Sequence, residues 1–165
     1  MKQQMGMRGY YFAVDDDFVQ EAMDNPMDLL EKIAPDVPSI EIGKAWQAIH
    51  FLLCGVSYGG EPPWGDVVPL RSENALDIEE PVCDVQMFAL TSRQVQEAYH
   101  SIKDMGKQEL RAKYHPESFA ENEIYFAWAD DEEPFFEYLY DNFRYIQAFY
   151  KEASEHNRGM IFRVR

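Results

Sequence analysis

Between Ile42 and Gly55 the apolar positions leave almost no side free for water. Ile42, Trp46, Ile49 and Leu53 recur at three- and four-residue steps, and Ala45, Leu52 and Cys54 widen the stripe. The pattern predicts a buried helix. Gly55, without a Cβ, suits the left-handed turn that ends such a helix.

The remaining elements are read around that one. Tyr10, Tyr11, Phe12 and Val14 cluster without helical period and predict a strand over Met5–Val14; Asp15, Asp16 and Asp17 then cap a short helix over Phe18–Met23. Asn25-Pro26 starts a second helix over 27–33, closed by Pro35 and Pro38. From Gly55 to Asp66 the density of Gly and Pro predicts a loop, followed by a brief extended piece at Val67–Leu70. Val82–Leu90, rich in β-branched and aromatic residues, reads as a strand near the middle of a sheet. Thr91-Ser-Arg-Gln94 is a capping box, and Val95, Ala98, Tyr99 and Ile102 form the stripe of the helix it opens. Lys107–Ala112 adds one or two helical turns, and Pro116 forces a restart.

The longest helix follows the carboxylates Asp130–Glu133, which complement its N-terminal pole. Phe136, Leu139, Phe143, Ile146, Tyr150 and Ala153 run along it as one seam. So wide a seam fits burial inside the domain or partly against a second copy, which leaves monomer and homodimer both open. Met160–Val164 suits a terminal strand docked on an existing sheet. Strands and helices together give an α/β class: a single three-layer domain over residues 1–165, with a small mixed β-sheet flanked by helices on both faces. The helices at 43–54, 91–104 and 134–156 are distributed over those two faces.

Charge narrows the partners. Thirty acidic residues against fifteen Lys and Arg give a formal net charge of -15, which repels nucleic acid and anionic membranes but leaves a basic protein open as a partner. The two cysteines, Cys54 and Cys83, make no disulfide framework. No apolar stretch approaches a signal sequence or membrane span, so a reducing cytoplasm is the expected compartment.

Candidate chemistry is sparse. His50 and Cys54, four apart on the central helix, place a base and a thiol on one side, the arrangement nucleophilic catalysis needs; a buried histidine satisfied locally beside an inert thiol fits the same spacing. Lys44 at the start of that helix opposes its dipole and hints at a carboxylate partner or a function. Trp46, His50, Tyr58 and Trp64 are the candidate lining of a ligand pocket, with core packing the competing role for the aromatics. No histidine pair has zinc spacing with a third ligand, and no phosphate loop or nucleophile elbow is present, so neither a metal nor a cofactor is expected.

Several of these stretches together resemble a known family. Met-Gly-Met at 5–7, Lys44-Ala-Trp46 running into His50-Phe-Leu-Leu53 and Gly55, Val67–Leu70, and the aromatic last helix reaching Ala153 are similar to the YfbM-like bacterial family of unknown function. Where such proteins often read Ile-Tyr-Pro before a Trp, this chain has Ile124-Tyr-Phe-Ala-Trp128. The resemblance implies a three-layer α/β domain in the bacterial cytoplasm, with no established activity, cofactor or catalytic set. The functional expectation is a non-enzymatic, inhibitor- or immunity-like binding protein whose acidic surface meets a basic protein. The alternative is a small-molecule enzyme or ligand sensor built on the aromatic pocket.

Overall fold

The computed structural model describes residues 7–26, 32–78, 85–126 and 132–165. Among them the order is β1 (Gly9–Val14), α1 (Asp16–Asp24), β2 (Ser39–Glu41), α2 (Trp46–Cys54), β3 (Gln86–Leu90), α3 (Ser92–Ile102), α4 (Lys107–Ala112), α5 (Pro116–Glu121), α6 (Glu132–Glu155) and β4 (Gly159–Val164). The expected helix over 27–33, Cys83, the start of the Val82–Leu90 run, Trp128 and the carboxylates Asp130 and Asp131 fall wholly or largely outside the described residues.

The four strands form one sheet in the order β2-β1-β4-β3, and every pairing is antiparallel. The expected mixed sheet is thereby corrected. Met160–Val164 forms the expected strand docked on the sheet, and β4 lies inside it, paired along its length with both β1 and β3. The strand around Phe88, expected near the middle, is instead an end strand, covered by a bridge from Ala75 to Phe88 and a bond from Leu76 N–H to Met87 O at 2.9 Å. Its residues are apolar on both sides because both faces are buried there, which composition alone reads as centrality.

Alternation sorts the two faces. Tyr11, Phe88, Leu90, Met160, Phe162 and Val164 join one large core with α2, α3 and α6. Val14, Met87, Ala89 and Ile161 join a smaller one with Val19 and Ala22 of α1 and with Leu76. The sheet thus carries helices on both faces, but α2, α3 and α6 share one of them, where the sequence had distributed them over two. Across the larger face the rings of Tyr11 and Phe162 lie 4.7 Å apart and those of Phe162 and Phe88 6.3 Å apart, a row set by the cross-strand register.

Local signals place the helices. Asp15 caps α1 by accepting from Phe18 N–H, and Thr91 with Gln94 closes a reciprocal capping box on α3. Asp16 then ties the two helices by accepting from Ser92 N–H at 2.7 Å and Ser92 Oγ at 2.6 Å. The Gln147 side chain on α6 donates to the carbonyls of Ile102 and Met105, satisfying main chain at and just past the end of α3. Gly55 takes φ 80° and donates to Phe51 O, ending α2 where expected. Gly159 is required by proximity, since a Cβ there would lie 2.5 Å from Leu90 O and 2.8 Å from a Val19 methyl.

Trp46 is 2%, Ile49 0% and Leu53 5% exposed, so the central helix is dry. Each such aliphatic side chain contributes about 1.5–3 kcal/mol through burial.

Candidate functional site

The 66–70 segment is the unusual feature beside that helix. Val67, Val68 and Leu70 are buried yet form no strand, which corrects the expected extended piece and leaves main-chain carbonyls to be satisfied inside the core. Side chains from three distant elements do so. Tyr11 of β1 and Tyr150 of α6 both donate to Val67 O, the latter at 2.7 Å, and Tyr150 also reaches Asp66 O at 3.1 Å. Burial raises both phenols well above their ordinary value, so they remain protonated donors.

Val68 O falls to His50. This residue is fully buried, with Nδ1 2.7 Å from Val68 O and Nε2 3.0 Å from Gly59 O. Burial lowers its pKa, against the main-chain contacts and Asp66, which raise it. With its pKa below the ordinary value the ring is mostly neutral at pH 7 and has one N–H to give; the shorter contact favours Nδ1–H on Val68 O, which leaves Nε2 without a hydrogen for Gly59 O. Nε2 then offers a lone pair to the Cys54 thiol, 3.3 Å away. His50 O, 3.2 Å from Sγ, is the alternative acceptor for the one thiol hydrogen, and burial pushes the Cys54 thiol up, away from the thiolate a nucleophile needs.

Asp66 anchors the segment from below. Its side chain is 4% exposed and accepts from Arg71 at 2.9 Å and Asn74 at 2.7 Å, while Asn74 accepts from Gln94 of the capping box at 3.2 Å. Arg71 reaches back to Gly60 O at 3.0 Å. One connected network thus runs from the cap of α3 through Asp66 to the loop on Cys54. It holds a loop in place and shows no opening for a substrate at His50.

The structure brings together some of the residues that sequence reasoning grouped and separates others. His50 and Cys54 do meet. Trp46 points elsewhere, donating from Nε1 to Met7 O at 3.0 Å and packing its ring 5.5 Å from Tyr125. Tyr58 is 47% exposed and its hydroxyl bonds Gln86; burial of the rest of the residue raises its pKa. Trp64 opens a 3-10 turn, half-buried, with Lys113 Nζ 5.8 Å from its ring. Lys44 lies in the 3-10 turn Gly43–Ala45 ahead of α2, not in the helix. Its ammonium sits 4.9 Å from the Phe126 ring centre, with no carboxylate partner among the described residues. A shared pocket over Trp46, His50, Tyr58 and Trp64 does not fit a histidine that is 0% exposed.

Sequence reasoning missed Asp66, Arg71, Asn74, Tyr11 and Tyr150 as partners of this site. Their partners on the segment lie up to 84 residues away, and the available signal was a lone Asp beside the apolar Val67–Leu70 run, with Asn74 set among polar residues. Among the described residues no three His, Cys, Asp or Glu side chains gather to hold a metal, and no helix is long and apolar enough to cross a membrane.

A cavity of about 400 Å³ lies elsewhere, at the C-terminal end of α6, with Ala13, Phe149 and Ala153 among its walls and Arg158 at its edge.

Comparison with known proteins agrees with the architecture. The crystal structure of a protein of unknown function, YfbM from Escherichia coli, superposes with a TM-score of 0.67, covering 96% of this chain and 100% of that one at 19% identity, a likeness of fold alone. No curated protein matches the chain. The family model described as a domain of unknown function (DUF1877) matches residues 5–163, nearly the whole sequence, and the chain belongs to that family.

Proposed function

We propose that this protein is a non-catalytic binding protein of the bacterial cytoplasm, which docks a basic protein on the outer face of α6. The observation that carries the proposal is an exposed carboxylate and aromatic ridge on that helix. Glu133, Glu137 and Asp141 follow one another at four-residue steps, with Tyr145, 60% exposed, one turn further on. Arg111 and Lys107 pair with the first two carboxylates, whereas Asp141 makes no close ion pair among the described residues and feels the Lys107 ammonium only at longer range. Tyrosine is a favoured interface anchor, and an exposed carboxylate beside it steers a cationic partner. The sealed His50–Cys54 pair supports a role without catalysis.

The test is capture from bacterial lysate at low salt, identification of proteins released by salt, and titration of the purified partner. A basic protein whose affinity falls at least tenfold for Asp141→Lys combined with Tyr145→Ala is the expected result. Failure to recover any basic protein, or equal binding by the variant, contradicts the proposal.

A further inference from the structure

Arg158 stands out in a chain with twice as many acidic as basic groups. Its guanidinium makes no ion pair, hydrogen bond or ring contact among the described residues. Its main chain, by contrast, is fixed from both sides. Asn157 takes φ 53°, its N–H bonds Ser154 O at 3.2 Å, and the Arg158 N–H bonds Ala153 O at 2.9 Å, which together close a Schellman motif on α6. Gly159 immediately afterwards is packed against Leu90 and Val19.

A cation near the C-terminal pole of a helix is favourable in itself. That does not explain why this one borders an apolar cavity. The walls from Ala13, Phe149 and Ala153 are 3%, 9% and 2% exposed, and the volume of about 400 Å³ lies within the range of small-ligand sites. At the rim are Glu152 and His156, both exposed, with Nδ1 of the imidazole 3.9 Å from the carboxylate. Ser39 adds a hydroxyl with no side-chain partner among the described residues.

We propose that this cavity binds a small monocarboxylic acid, its apolar body against Ala13, Phe149 and Ala153 and its carboxylate on Arg158. The guanidinium fork matches a carboxylate with two parallel hydrogen bonds. Glu152 at the rim and the net charge of -15 disfavour a more highly charged anion. This site is independent of the α6 ridge and stands or falls separately from the docking proposal.

The probe is 4-phenylbutyrate, compared with its neutral amide, titrated into the full chain while the methyl signals of Ala13 and Ala153 are followed by NMR. Saturable shifts at both methyls are expected, with a dissociation constant at or below about 1 mM for a probe of this size. The amide, and the acid with Arg158→Gln, should each bind roughly ten- to a hundredfold more weakly, the loss of a charge-assisted pair. Glu152→Gln, an exposed change that leaves packing intact, should tighten binding of the acid by about two- to fivefold. Absence of saturable shifts with the acid, shifts mapping elsewhere, equal binding of the amide, or indifference to both substitutions would each overturn the assignment.

Discussion

Two regions of the molecule handle polar groups beside apolar surroundings in opposite ways. Around Asp66 and His50 the buried donors and acceptors close on one another: two phenols on Val67 O, an imidazole on Val68 O, a guanidinium and an amide on Asp66. At the end of α6 a guanidinium borders a cavity and closes on no side chain among the described residues. A satisfied network adds rigidity and a unique packing, whereas an accessible unpaired group on a fixed backbone retains the capacity to bind. The histidine and cysteine that looked most like chemistry in the sequence belong to the first kind, and the arginine that drew no notice belongs to the second.

The sharpest way to break the contrast is at Asp66. Asp66→Ala removes the buried carboxylate shared by Asn74 and by Arg71, itself only 12% exposed and left with Gly60 O and the exposed Glu73, and should destabilise the fold by about 3–5 kcal/mol in urea unfolding. A loss under 1 kcal/mol would mean that the network is not holding the loop. His50→Leu removes the donor to Val68 O while roughly preserving bulk. It should cost about 1–3 kcal/mol, the penalty of one buried acceptor left unpaired.

Smaller still is the pH effect. Because burial depresses the His50 pKa below its value in the unfolded chain, the unfolded state takes up the proton first as pH falls. The His50 contribution to stability is therefore complete above pH 6.5, shrinks below it, and is used up once the pH passes the folded pKa. His50→Leu should flatten that part of the stability profile, and an unchanged slope in the variant would assign the dependence to other groups. The least effect is expected at Cys54. Its thiol, raised by burial, should alkylate in native buffer no faster than an ordinary free cysteine, and accelerated reaction would restore it as a nucleophile.

Much of the fold was legible because its signals are local. The Thr91–Gln94 box, the Asp15 cap and the Gly55 stop each depend on residues within four positions, and all three form as read. The central helix was legible from its period. Sheet order was not, because an apolar strand is produced equally by a central position and by an end strand covered on both faces, as at Phe88. The candidate pocket was misplaced for a related reason. Trp46 and His50 share a helix, but helix spacing says nothing about which loop comes down on them, and Gly59, Val68 and Cys54 together seal the histidine. Arg158 carried no sequence signal, since its meaning lies in the cavity it borders and in having no side-chain partner among the described residues.

The most direct measurement is nitrogen NMR of the His50 ring across pH 5 to 8. An imidazole with its proton on Nδ1, mostly uncharged at pH 6.5 and slow to exchange that proton with water, is the predicted result. A ring that titrates at or above pH 6.5 and exchanges freely would show that His50 meets solvent, and would return it to the list of groups able to do chemistry.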